Sequence, residues 1–394
     1  MSMNDHHRVI ATSIPGQGWD YALQKHPFHE EERLRGAVYC VYNRRLMANA
    51  FEDSTPEREY WLLRRTAGAL HTGELTTEIS GPDAAHLLDK VFTRNIAKTK
   101  IGRCSYQFAC YPDGGMIVDG VLMRLAEDRF WYVQADGDFY SWLIAHSQGL
   151  DVTVRDPKMF VSQVQGPLSM KVLADAADGG MPDPFRYFDI TTVSIAGNDV
   201  TITRTGYTNE LGWEFYLEPH HDEQAIWATI KAAGVPHGMD LAGLDGFEAR
   251  RIEGGIQNAG SDFDLTMTPY AAGLGGLVDL EKEDFIGKDA LMNADKGCRL
   301  YGLRCSAGTP SYGGPVYLDD EQIGYMTCGA WSPFLQCGVG YVRLDEVKHG
   351  PGTDVTVTCV DGSRHAAVIC AMPFYDEDGE IQRGKNTTIP DIPT

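Results

Sequence analysis

Long apolar runs are missing from this chain. No uninterrupted stretch approaches the ~20 residues that a membrane-spanning helix needs, so no membrane partner is expected. Basic residues are in deficit, with 34 Lys and Arg against 55 Asp and Glu and a formal net charge of −21. Neutralising a phosphate backbone takes clustered cations, which disfavours a nucleic-acid partner. Closely paired cysteines are lacking too: the nine thiols are odd in number, scattered, and never fall as Cys-x-x-Cys. Disulfide frameworks and structural zinc sites need tighter pairing. The cysteines therefore read as small buried hydrophobes in a reducing compartment. The pairs His6-His7 and His220-His221 are adjacent rather than at the i, i+4 spacing of one helical face, so no metal site is expected. The opening Met-Ser-Met-Asn-Asp-His-His-Arg has no apolar core and is not Arg-rich. It reads as neither a secretory signal nor a transit peptide, which leaves the cytoplasm as the expected location.

What is present suits a globular protein. Over 394 residues, 43% hydrophobic and 23% charged side chains allow two or three domains with real cores. Residues 1–36 are mixed and polar, a lead-in. Residues 37–51 suggest a strand, 57–67 an amphipathic helix, 77–80 a strand, and 84–92 a helix opened by Gly81-Pro82-Asp83. Gly114-Gly115 reads as a turn between strands and 129–133 as an aromatic strand, followed by a helix carrying Tyr140, Trp142 and Leu143. A strand at 160–164 followed by Gly166-Pro167 repeats the strand, Gly-Pro, helix order, which hints at two related α+β halves within 37–292. From Gly276 onward short strands follow closely (299–305, 316–318, 322–327, 338–342, 354–359). They predict a small C-terminal β-domain over 293–376, with a polar tail over 377–394.

The most informative segment is Arg204-Thr-Gly-Tyr-Thr-Asn-Glu-Leu-Gly-Trp-Glu214. Alternating apolar residues precede it (Val200, Ile202) and follow it (Trp213, Phe215), giving strand, Gly-containing turn, strand. Glu214 then begins the second strand and can enter a pocket beside Tyr207. A buried carboxylate needs donors. The paired N–H groups on the amino-pyrimidinone edge of a pterin fit it well, while a tight hairpin with a solvated Glu remains the alternative.

Further stretches carry a family likeness. They are Gly243-Leu-Asp-Gly-Phe-Glu-Ala-Arg-Arg-Ile-Glu-Gly-Gly255, Thr268-Pro-Tyr-Ala-Ala-Gly-Leu-Gly-Gly276, Asp284-Phe-Ile-Gly-Lys-Asp-Ala-Leu291, Val164-Gln-Gly-Pro167 and Gly114-Gly-Met-Ile-Val-Asp119. In this order they resemble the folate-binding aminomethyltransferase family, which includes the T-protein of the glycine cleavage system. The resemblance implies an α+β, three-lobed fold: two related α+β lobes and a C-terminal β-barrel around a hole that takes tetrahydrofolate. It places Tyr106, Tyr207 and Glu214 against the pterin and Asp119 near N5, as the catalytic candidate. Arg251 and Glu253 fall in an Arg-x-Glu-x-Gly motif, where a structural ion pair is expected.

Departures from the T-protein pattern shape the expected activity. Its Asp-Val-Ser-His-Met-Gly segment is Leu70-His-Thr-Gly-Glu-Leu75 here, its tandem aspartates are Val118-Asp119, and an arginine near the folate tail is Phe247. Tyr39-Cys-Val-Tyr-Asn43, Phe130-Trp131, Ala135-Asp-Gly-Asp138 and Arg250-Arg-Ile-Glu-Gly-Gly255 resemble the demethylase branch, which includes dimethylsulfoniopropionate demethylase. The implied reaction moves a methyl group from a small sulfonium, methoxy or methylamino compound to N5 of tetrahydrofolate. Trp131, Tyr140, Trp142, Trp213 and Trp331 are candidate walls for an onium substrate. His71 or Tyr207 are candidate acids for a departing phenolate. The alternatives are a T-protein proper, served by a lipoyl carrier protein, and a non-catalytic folate-binding protein.

Overall fold

The computed structural model describes residues 23–393. Two large sheets, a small three-stranded sheet (Gln24–Lys25, Arg45–Phe51, Ala37–Tyr42) and a barrel organise them. The first sheet has six strands, in the order Ile190–Ile195, Asn198–Thr203, Gly212–Leu217, Phe160–Gln165, Ala67–His71, Met239–Leu241. The second has five: Arg103–Cys110, Met116–Arg124, Arg129–Gln134, Leu75–Ser80, Thr153–Arg155. The two related halves show in a shared corner. Strand Leu75–Ser80 turns at Gly81 into helix Ala84–Val91, and strand Phe160–Gln165 turns at Gly166 into helix Ser169–Ala176. The glycines have φ +126° and +129°, and a Cβ on either would lie 2.6 Å from a carbonyl oxygen, of Asp151 or Thr66. Only glycine fits such a corner.

Helix Pro56–Arg65 shows how the sequence dictates its own ends. The Thr55 side chain accepts the Arg58 amide, proline fills the first turn, and Arg64 and Arg65 lie in the last. Tyr60 and Arg64, four residues apart, share its buried face. The barrel closes from six strands: Leu300–Cys305, Pro315–Leu318, Glu321–Ser332, Cys337–Leu344, Asp354–Thr358 and Arg364–Cys370. The last of these, unrecognised in the sequence, closes the ring by pairing with both the first and the fifth. All nine cysteines are free, five of them buried.

Two sequence expectations change. Residues 37–51 form a hairpin rather than one strand, Ala37–Tyr42 against Arg45–Phe51, because Asn43 and Arg44 both adopt left-handed φ (49° and 60°) at the turn. The run from Gly276 is not yet strand. Gly275–Leu277 is a 3-10 turn, and Leu277, Val278 and Leu280 pack onto an apolar cluster as an irregular connector, so the barrel begins only at Leu300. Residues 24–34, within the polar N-terminal stretch, contain the strand Gln24–Lys25 and the helix His29–Leu34, with Phe28 buried in the first-sheet core. Among the described residues, no helix is long and apolar enough to cross a membrane.

Candidate active site

Strand parity decides which side chains meet. Glu214 lies opposite Gln163 and Thr203, and Tyr216 follows it on the same face. On the second sheet Asp119 and Val121 share a face with Tyr106, which reaches Asp119 diagonally: its hydroxyl donates to Oδ2 at 2.7 Å. These two faces meet, since Tyr216 and Val161 of one sheet pack with Met123, Trp131 and Val133 of the other.

Glu214 is 5% exposed. The hydroxyls of Thr205 (2.7 Å), Tyr216 (3.2 Å) and Thr203 (3.4 Å) all donate to its Oε2. Its Oε1 accepts nothing among the described residues. Asp119 is 7% exposed, and its buried Oδ1 has no partner among them either. Burial is the main force raising the Asp119 carboxyl to about 6, against the pull of the Tyr106 hydroxyl. Tyr207 lies in the loop between Asn198–Thr203 and Gly212–Leu217, with its amide on Gln163 Oε1 at 3.3 Å. Burial keeps its phenol protonated. That loop is pinned by Glu210, which pairs with Arg64 at 2.5 Å and Arg250 at 2.9 Å.

One residue of the site was not singled out from the sequence. Thr72, Gly73 and Glu74 form the seam that carries the chain from the first sheet to the second. Burial first, and then the charge of Glu214, raises the Glu74 carboxyl to about 8, with Asp119 adding to the rise. The Thr72 hydroxyl steadies Oε2 at 2.9 Å. Arg45, whose charge reaches Glu74, donates its terminal nitrogens to the main-chain carbonyls of Glu74 (2.7 Å) and Met159 (2.9 Å). The signal lay in the Leu70–Leu75 departure, which introduces a carboxylate at the junction of two strands. Tyr42, Glu74, Tyr106 and Tyr207 are each half-buried, and the charge of Asp119 reaches Tyr42, Glu74 and Tyr106.

Other candidates lie elsewhere. His71 is on the opposite face of the first sheet, stacked on His26 and bonded to Ser162 Oγ at 2.9 Å; burial pushes it down to about 3, so it is no acid for the site. Trp213 and Trp131 are core: their indole N–H groups donate to Ser169 O and to Glu78, both at 2.9 Å. Trp142 packs on Tyr111 and His146, and Trp331 is 41% exposed. Arg251 and Glu253 do not pair. Arg251 binds Asp262 (2.5 Å) and Glu248 (2.6 Å), while Glu253 takes Arg250 (2.5 Å), because i, i+3 spacing on helix Leu244–Glu253 puts Arg250 beside it. Val118 is fully buried on the far face of the second sheet, and Phe247 is fully buried with Leu63, Leu70 and Ala242.

Comparison with known proteins gives these features a lineage. Residues 28–282 match the model of the GCVT N-terminal domain, and residues 299–376 that of the glycine cleavage T-protein C-terminal barrel domain. The chain belongs to the glycine cleavage T-protein family. An aminomethyltransferase of Streptomyces avermitilis is 33% identical over 333 residues, 80% of this chain and 88% of that protein. One from Halothermothrix orenii is 35% identical over 315 residues, 77% and 86% of the two chains. A trimethylamine-oxide aldolase of Ruegeria pomeroyi is 31% identical over 376 residues, 91% of this chain; the chain spans about half of that relative, 48%. The solved glycine cleavage system aminomethyltransferase T of Bartonella henselae shares the fold, with TM-score 0.81 at 24% identity over 90% of this chain and 99% of that one. As a member of this family the protein is a one-carbon transferase with tetrahydrofolate as acceptor.

Proposed function

We propose that the protein passes an aminomethyl group from a lipoyl carrier protein to N5 of tetrahydrofolate, held between the two sheets. The observation that carries this reading is the state of Glu214: one oxygen held by three hydroxyls, the other free on the inner face. Such a carboxylate suits the amino-pyrimidinone edge of a pterin, whose N–H donors would replace the water that burial removed. Bound tetrahydrofolate supplies a nucleophilic nitrogen. Tyr207 and Tyr106 flank the pterin, and Asp119 holds or accepts a proton near N5 with its free Oδ1. Fixing two reactants in one orientation contributes most of the acceleration. The relatives named aminomethyltransferase support this form of the reaction.

A second reading, demethylation of a small sulfonium, methoxy or methylamino compound, is favoured by the seam, where Glu74 stands in a segment unlike the T-protein's. Oxidation state separates the two. Purified protein with tetrahydrofolate and an aminomethyl-loaded lipoyl carrier is expected to give methylenetetrahydrofolate, with the amine released as ammonia and the carrier as its dihydrolipoyl thiol. Formation of 5-methyltetrahydrofolate from a methylated donor instead selects demethylation. No folate product from either kind of donor removes both.

A further inference from the structure

We propose that the one-carbon donor enters this site as a cation, and that Glu74 and the ring of Tyr42 receive its charge. The inference rests on the transfer reading above and names the class of donor it serves. Three carboxylates, Glu74, Asp119 and Glu214, lie near enough that the charges of the last two raise the first, and none is paired with a cation among the described residues. Asp119, nine-tenths buried, leaves Oδ1 without any partner. Such an arrangement is costly unless a ligand brings the missing charge. Glu214 and Asp119 have folate duties, while Glu74 has none.

The surroundings of Glu74 fit a compact onium or ammonium group. Thr72 fixes one carboxylate oxygen, at 2.9 Å, and the other accepts nothing among the described residues. Tyr42 packs directly on the seam: a Cβ at Gly73 would lie 2.7 Å from Tyr42 Cβ and 3.1 Å from its ring carbon Cδ1, so glycine lets the aromatic side chain settle beside Glu74. Tyr42 lies within reach of both the Glu74 and Asp119 charges. Carboxylate and aromatic face together make a cation site. Arg45 does not fill it, because its guanidinium is held by two carbonyls and lies over Phe160 at 4.7 Å.

The test is calorimetry of the full chain with tetramethylammonium and with its neutral isostere tert-butanol, each with and without 5-formyltetrahydrofolate. Wild type is expected to bind tetramethylammonium and to prefer it clearly over the alcohol. Glu74→Gln is expected to weaken the cation about tenfold, and Tyr42→Leu about threefold, with 5-formyltetrahydrofolate affinity within about twofold in both. Because the cation must displace a proton from Glu74, wild-type affinity should rise with pH through the range below about 8. The groups facing Glu74 are Glu214, Asp119, Arg45, Thr72 and Tyr42, of which Asp119 also ionises, near its value of about 6, and Glu214, raised by burial, ionises as well. In Glu74→Gln the rise is expected to be shallower, leaving only the part due to Asp119 and Glu214. Equal binding of the cation by wild type and Glu74→Gln, or equal binding of cation and alcohol, overturns the proposal. Should Glu74→Gln not fold, the wild-type preference and the pH slope decide, with Glu74→Asp expected to retain both. Cation binding without any 5-formyltetrahydrofolate binding would instead strike the transfer reading alone.

Discussion

Arg250 and Glu74 both sit inside the protein, but the charges around them are arranged on opposite rules. Arg250 is fully buried and meets Glu253 at 2.5 Å and Glu210 at 2.9 Å; Arg64 shares Glu210, and Tyr60 and Tyr375 donate to Glu253 at 2.9 and 2.6 Å. Every carboxylate in that network has a cation, and its members come from two helices, the Tyr207 loop and the C-terminal barrel region. Around Glu74 three carboxylates face one another with a threonine, a tyrosine pair and no ion partner. The first cluster therefore holds lobes together. The second is neutralised in part by the proton that Glu74 keeps, which a bound cation can displace, and that is how a site differs from a joint.

Breaking the paired cluster should have the largest effect. Arg250→Ala leaves Glu253 and Glu210 with one cation fewer and is expected to cost about 3–5 kcal/mol of stability, read by urea unfolding. The Tyr207 loop loses an anchor too, so weakened folate binding should accompany it. A loss below about 1 kcal/mol would mean the network is no joint. In the unpaired cluster the same kind of truncation should act on ligand instead. Glu214→Ala is expected to weaken folate by about 1.5–3 kcal/mol in calorimetry, with stability falling far less. Unchanged folate affinity removes Glu214 from the site.

Next in size is the pH behaviour of Glu74. Its carboxyl is raised from 4.5 to about 8 in the fold, so between those values the native state holds more protons than the unfolded chain. Stability then falls as pH rises through that window and levels off above it. Glu74→Gln removes that contribution and leaves the smaller slope from Asp119 and Glu214, whose carboxyls are also raised. The variant should be more stable than wild type at pH 8 by at least about 1 kcal/mol, and the difference should shrink towards pH 5. Parallel stability curves for the two proteins would show that Glu74 is solvated or paired.

The contrast also explains what could be read from the chain alone. The hairpin ending in Glu214, both Gly-Pro corners and five of the six barrel strands follow from alternation and turn residues, which are local. Strand Arg364–Cys370 was missed because Arg364-His-Ala-Ala carries little apolar alternation; closure of the ring recruits it. Partner choice was the harder problem. The motif suggested Arg251 with Glu253, but the helix delivers Arg250 to Glu253, and Asp262 comes to Arg251 from a loop whose path the sequence does not disclose. His71 and Trp213 failed as site candidates for a related reason: which face of a strand meets which sheet is settled by packing. Glu74 escaped notice because its importance comes from two acids distant in sequence, Asp119 and Glu214.

The smallest expected effect is the sharpest probe of the unpaired cluster. Tyr106 donates to Asp119 Oδ2 at 2.7 Å, a bond that favours the ionised carboxylate and holds its pKa down against burial. Tyr106→Phe removes the donor and keeps the ring, so the Asp119 carboxyl should rise above its present value of about 6. If the ionised form is the one that takes up a proton near N5, the acid limb of kcat/KM moves to higher pH by up to about one unit, with activity at pH 8.5 little changed. Asp119→Asn has no such group and should lose the limb altogether, at greatly reduced rate. A limb that stays in place in Tyr106→Phe would assign it to another acid, and Glu74, whose carboxyl lies higher, would be the next to test.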